Sequence, residues 1–133
     1  FDLAARKLRF ELPLRDSGYR QPVFSSDGKE LLVAECGRSG TPAVYDTANG
    51  KLLRAYTSGH EGEGTSCAVY LKDGKSIVSA GHDGRIIQWS SPQEKHTLCQ
   101  LPGPVLALAL AADGRHLFAG NNNGTVYVLR LAP

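Results

Sequence analysis

The sequence predicts an all-β chain: a β-propeller segment of about three four-stranded antiparallel blades. Two observations predict it. A segment that ends in a large apolar or aromatic residue recurs at a step of about forty residues, and Asp-Gly or Asn-Gly pairs punctuate the copies. The stretch from Gly74 to Trp89 aligns without gaps on Gly114 to Leu129, and a third copy, Gly28 to Tyr45, fits with two extra residues. A fixed period means one supersecondary unit stacked on itself, and a period of this length built of short strands indicates propeller blades.

The elements follow in order from local chemistry. Asp27-Gly28, Asp73-Gly74 and Asp113-Gly114 each separate two apolar runs, a strong hairpin signal, and Asp83-Gly84 and Asn123-Gly124 mark a second hairpin in two copies. The runs between them are β-branched or aromatic: Leu31 to Ala34, Ile77 to Ala80, Ile86-Ile87, Leu117 to Ala119 and Val126 to Leu129. Val105 to Leu110 is apolar throughout, as expected of a strand buried on both faces. No stretch combines a helical period with capping residues. The copies also share a tail. Phe1 to Leu12 matches Tyr45 to Tyr56 in register, and Trp89 to Leu101 is a looser version, which makes Leu8 to Leu12 an outer-type strand. The units run over about 1–46, 45–90 and 89–131, and three are too few for a ring of typically 4–8 blades. A segment of a larger propeller is the first expectation, and copies that self-associate to complete a ring are the second.

Composition narrows the function. Apolar residues make up 41% and charged residues 21%, as in ordinary soluble domains. The net charge of +2 comes from 15 basic and 13 acidic residues spread along the chain, without the clustered positive stripe of a nucleic-acid binder. No apolar run is long enough to insert in a membrane. Cys36, Cys67 and Cys99 are odd in number and lack CxxC spacing, which argues against a disulfide framework and mildly favours a reducing, cytoplasmic setting.

Gly59-His60, Ser79, Asp83 and Trp89-Ser90 together resemble one WD repeat: a Gly-His pair, a strand serine, a turn aspartate and a terminal aromatic. Ser79 to Asp83 is four residues and Asp83 to Trp89 six, as in that family, while His60 stands about one residue further from Ser79 than is typical. The last unit departs from the pattern, with Ala119, Asn123, Leu129 and Arg130 at these positions. The first keeps Tyr45-Asp46 but has Val33 at the serine position. The resemblance implies that His60, Ser79, Asp83 and Trp89 form a structural hydrogen-bond chain within the middle blade.

Other chemistries fit these residues less well. Ser79, His60 and Asp83 are the types of a nucleophilic triad, but Ser79 lies in an apolar strand without a Gly-x-Ser-x-Gly elbow. His60, His82, His96 and His116 lack the compact pairing of a zinc site, and Gly59 to Gly64 has neither the lysine nor the helix of a phosphate loop. No catalytic residue, metal or cofactor is therefore expected. The resemblance implies a non-catalytic protein-interaction scaffold that holds a protein or peptide on one propeller face. The alternative is an accessory or sensory domain of a larger multidomain enzyme such as a bacterial protein kinase. Loops on a rigid scaffold carry recognition, and the loops on that face place Tyr19, Arg20, Arg38, Glu61, Glu63, His82, Asn121 and Asn122 as candidate contacts. Tyr19, Arg20 and Arg38 lead, because Tyr and Arg are enriched in interface hot spots.

Overall fold

Three aspartates start the architecture by the same local device. In the computed structural model, which describes residues 3–12, 21–35, 40–57, 59–60, 62 and 64–132, Asp27 Oδ1 accepts from the Lys29 amide at 3.0 Å. Asp73 Oδ1 likewise accepts from Lys75 at 2.9 Å, and Asp113 Oδ1 from Arg115 at 2.8 Å. A short carboxylate that satisfies an amide two residues on mimics a backbone turn and reverses the chain. The amide of Arg115, with the His116 ring beside it, draws the Asp113 carboxyl down to about 2.

The hairpins build three antiparallel sheets. Sheet one is β1 (Pro22–Phe24), β2 (Glu30–Val33), β3 (Ala43–Asp46) and β4 (Leu52–Ala55). Sheet two is β5 (Thr65–Tyr70), β6 (Ile77–Gly81), β7 (Arg85–Trp89) and β8 (Lys95–Gln100). Sheet three is β9 (Val105–Leu110), β10 (His116–Asn121) and β11 (Val126–Arg130). No helix occurs among the described residues. The sequence unit is out of step with the sheets: residues 45–90 supply β4 to sheet one and β5 to β7 to sheet two.

Strand alternation sends side chains to both faces, and sheet two is covered on both. Its Ala68, Tyr70, Ile77, Ile87 and Trp89 pack against Leu32, Ala34, Val44 and Tyr56. On the other side, Cys67, Val69, Val78, Ala80 and Ile86 pack against Val105, Leu108, Leu117 and Ala119 of sheet three. All five residues of β6 are buried.

Two expectations are corrected at the ends of the stack. β9 is not buried on both faces: Val105 and Leu108 point at sheet two, but Leu106 is 53% exposed and Ala107 and Ala109 are exposed as well. Among the described residues sheet three has a neighbour on one side only, so one face of its apolar pattern stays exposed. Residues 8–12 form no strand. Only Lys7 makes an isolated bridge, because no described sheet offers this segment an edge in the position that β3 offers β4.

The β6–β7 and β10–β11 turns carry glycines with positive φ, Gly84 at 78° and Gly124 at 83°. A side chain at Gly124 would meet open space, whereas one at Gly84 would strike the carbonyl of Leu101 and lie 2.9 Å from that of Gly103. Gly124→Ala should therefore cost only the backbone conformation, about 1–2 kcal/mol. Gly84→Ala should cost about 1 kcal/mol more, from overlap with backbone that cannot rotate away. Urea midpoints for the two variants check the order.

Candidate functional site

Residues from β6, β7, the β6–β7 turn and the loop before β5 converge inside sheet two. Ser79 pairs with Ala68 and Ile87, and Ile77 pairs with Trp89. Both Ser79 and Trp89 therefore face sheet one, and both are fully buried. The Trp89 indole N–H donates to Ser79 Oγ at 2.8 Å. Ser79 Oγ lies 2.9 Å from His60 Nε2, and His60 Nδ1 lies 2.9 Å from Asp83 Oδ1. A carboxylate only accepts, so the imidazole proton sits on Nδ1, Nε2 accepts, and the serine hydroxyl donates to it. The chain of donors runs one way, from indole to hydroxyl to imidazole to carboxylate. Asp83 Oδ1 also accepts from the Arg85 amide at 3.0 Å, which fixes the turn.

Two glycines make room for the relay, Gly59 for the indole and Gly81 for the imidazole. A Cβ on Gly59 would lie 2.6 Å from the Trp89 ring, and one on Gly81 would lie 2.7 Å from His60 Nδ1. Burial, offset in part by Asp83, pushes the His60 imidazole below its ordinary value, so the ring stays neutral. The geometry superficially copies a Ser-His-Asp triad, but Ser79 Oγ is sealed in the sheet and already bonded on both sides. A nucleophile needs an exposed oxygen with an oxyanion site beside it. Among the described residues no group of three or more His, Cys, Asp or Glu side chains is placed to hold a metal ion.

The same positions in sheet three are Ala119, Asn123 and Leu129, and no such chain forms there. Asn121, at the position of Gly81, turns inward instead. It is 7% exposed, donates to the Gly103 carbonyl at 3.1 Å, and accepts from the Asn123 amide. That removes Asn121 from the candidate contacts, since its amide is buried and engaged with its own turn and the β8–β9 loop. His82 and Asn122 are exposed on the β6–β7 and β10–β11 turns. Both turns flank the loop that leads from sheet two into sheet three, as the bonds from Leu101 N to Gly84 O and from Asn122 N to Pro104 O require. Tyr19, Arg20, Arg38, Glu61 and Glu63 lie outside the described residues.

A second polar cluster, which no motif signals, bridges sheets one and two at the opposite rim. Arg54 holds Glu30 with both guanidinium nitrogens, and Tyr70 Oη donates to Glu30 at 3.2 Å. Arg54 holds the Glu30 carboxyl below its usual range, and burial pushes the Tyr70 phenol up. The partners are separated by tens of residues and recur in neither other copy, so no spacing signals them.

The sequence that forms these sheets matches the family of the WD domain, G-beta repeat, over residues 50–90 and 93–129, more than half of the chain. The chain belongs to that family. It is 41% identical to the intraflagellar transport protein 122 homolog of Danio rerio over 72 residues, 54% of this chain and 6% of that protein. It is 32% identical to Topless-related protein 1 of Arabidopsis thaliana over 113 residues, 82% of this chain and 10% of that protein. To the target of rapamycin complex subunit wat1 of Schizosaccharomyces pombe it is 29% identical over 112 residues, 82% of this chain and 34% of that protein. The chain thus spans only a small part of the relatives it matches.

Proposed function

We propose that this segment is a non-catalytic scaffold that presents a protein or peptide partner with the rim formed by the β6–β7 and β10–β11 turns and the loops between sheets. The observation that carries this reading is the sealing of Ser79, His60 and Trp89 inside sheet two. The chemically versatile side chains hold the scaffold, and the exposed ones, His82 and Asn122, stand on turns fixed by it. Membership of one relative in a multisubunit complex, the target of rapamycin complex, supports the same reading. His60, Ser79, Asp83 and Trp89 then have a structural role, and Tyr19, Arg20, Arg38, Glu61 and Glu63, outside the described residues, are the further candidate contacts.

The test compares proteins retained by the immobilised wild-type chain with those retained by His82→Ala/Asn122→Ala and by Lys75→Ala, which alters the opposite rim. Quantitative mass spectrometry should find at least one partner lost with the double variant and kept with Lys75→Ala. Equal retention by all three sinks the assignment of the rim. Labelling of Ser79 by a fluorophosphonate probe would sink the non-catalytic reading.

A further inference from the structure

The β7–β8 turn carries nucleophilic side chains that the buried relay does not use. It reads Ser90-Ser91-Pro92-Gln93-Glu94, and its two hydroxyls differ. Ser90 is exposed, but its Oγ donates to Glu94 Oε2 at 3.2 Å. Ser91 is half-buried, and its Oγ accepts from the Glu94 amide at 3.2 Å. The Ser90 proton is thus committed to a carboxylate, whereas among the described residues no acceptor takes the Ser91 proton. Pro92 restricts the residue before it to extended backbone, and residues 90–93 are bends outside any strand. An extended, solvent-reached hydroxyl followed by proline is the form of substrate that proline-directed protein kinases take. The chain has one other such pair, Thr41-Pro42, but Pro42 is fully buried and its carbonyl is bonded to the Tyr56 amide.

The surroundings of Ser91 suit the product of that reaction. Ser91 and Pro92 line an open groove of about 420 Å³ between sheets one and two, with Arg54 and Lys75 also on its walls. The Thr57 amide donates to the Pro92 carbonyl at 3.0 Å, which anchors the turn across the seam. Glu30 also lines the groove, but Arg54 holds it with both guanidinium nitrogens and Tyr70 donates to it. That pair uses two of the five N–H donors of the guanidinium. The exposed Lys75 ammonium makes no ion pair among the described residues. With Arg54 balanced by Glu30, the groove keeps one uncompensated cation, Lys75.

We propose that Ser91 is a phosphorylation site and that Lys75 and Arg54 hold the phosphate it gains across the seam between sheets one and two. The phosphoryl donor is a nucleoside triphosphate bound by a proline-directed protein kinase. Ser91 Oγ bonds to the γ-phosphorus, and the bond from that phosphorus to the β–γ bridging oxygen breaks. The hydroxyl proton passes to the catalytic aspartate of the kinase, and the nucleoside diphosphate leaves. The product adds about −1.5 to −2 charge and three acceptor oxygens, which Lys75 and the spare donors of Arg54 meet. Charge-assisted bonds then join the β7–β8 turn to both sheets. The site lies on the rim opposite the one proposed to hold a partner and is independent of it.

The full chain, folded and incubated with a purified proline-directed kinase and ATP, should gain one phosphate per chain by intact-mass spectrometry. Ser90→Ala should gain it too, and Ser91→Ala should gain none. In phosphorus NMR the second ionisation of the bound phosphate, ordinarily near pH 6, should fall at lower pH in the modified chain than in a phosphorylated peptide of residues 89–95. Lys75→Ala should move it back toward the peptide value. A wild-type chain that gains no phosphate, or a Ser91→Ala chain that gains as much as wild type, overturns the site. A titration that Lys75→Ala leaves unchanged overturns the role of the groove.

Discussion

Trp89→Ala is expected to destabilise the chain by about 3–5 kcal/mol, the usual cost of emptying a buried large-aromatic site. The ring is fully buried, meets Tyr56 at a centroid distance of 5.5 Å, and has the Lys95 ammonium 5.4 Å from its centre. It also lines the space that a glycine at position 59 keeps open. Truncation would therefore loosen the seam between sheets one and two as well as the interior of sheet two. Trp89→Phe separates the contributions. It keeps most of the ring and removes the donor to Ser79, so its cost should fall near the roughly 0.5–1.5 kcal/mol of one hydrogen bond plus the lost volume. Chemical denaturation of both variants checks the prediction, and equal losses would mean that packing around the indole matters little.

His60→Ala should cost about 3 kcal/mol. An orphaned buried polar group contributes roughly 1–3 kcal/mol of this, and the vacated volume adds to it. Removing the ring leaves the Ser79 hydroxyl without its acceptor and takes from Asp83 Oδ1 its imidazole donor, with the Arg85 amide remaining. The same residue gives stability a pH dependence with a definite sign. Burial lowers the His60 value in the folded chain below the 6.5 of an unperturbed histidine, so near and below pH 6.5 the unfolded chain binds the extra proton more readily. The contribution is complete above pH 6.5 and is lost as pH falls through the folded-state value. His60→Gln removes this slope and leaves the other three histidines in place. The gap in melting temperature between wild type and His60→Gln should therefore narrow from pH 8 to pH 5. A gap that widens would mean that the ring is charged in the folded state.

Much of the fold could be read from residue types because its signals are local. An aspartate followed by glycine commits its turn within four residues, and the β-branched runs between turns had no other place to go. The four relay residues could also be named, because their types and spacing resemble one WD repeat, with His60 on the loop before β5 and Ser79, Asp83 and Trp89 on β6, its turn and β7. What escaped depends on neighbours. The apolar run of β9 describes what that strand can bury, and only the arrangement of sheets decides that Leu106 faces water. Residues 8–12 have the composition of a strand but need an edge to become one. Asn121 looked like an ordinary turn residue, yet the space that a histidine fills in sheet two draws it inward in sheet three. Glu30 and Arg54 meet across sheet one, and Tyr70 reaches Glu30 only because two sheets stack in one register.

The half-step mismatch between sequence unit and sheet has a consequence for how such a molecule grows. A duplicated gene segment of about forty codons, cut anywhere in the cycle, brings a rim strand for the older neighbour and inner strands for the new one. Every added copy is thus sewn by its own backbone across one joint, and enlargement never leaves a blade attached by side chains alone.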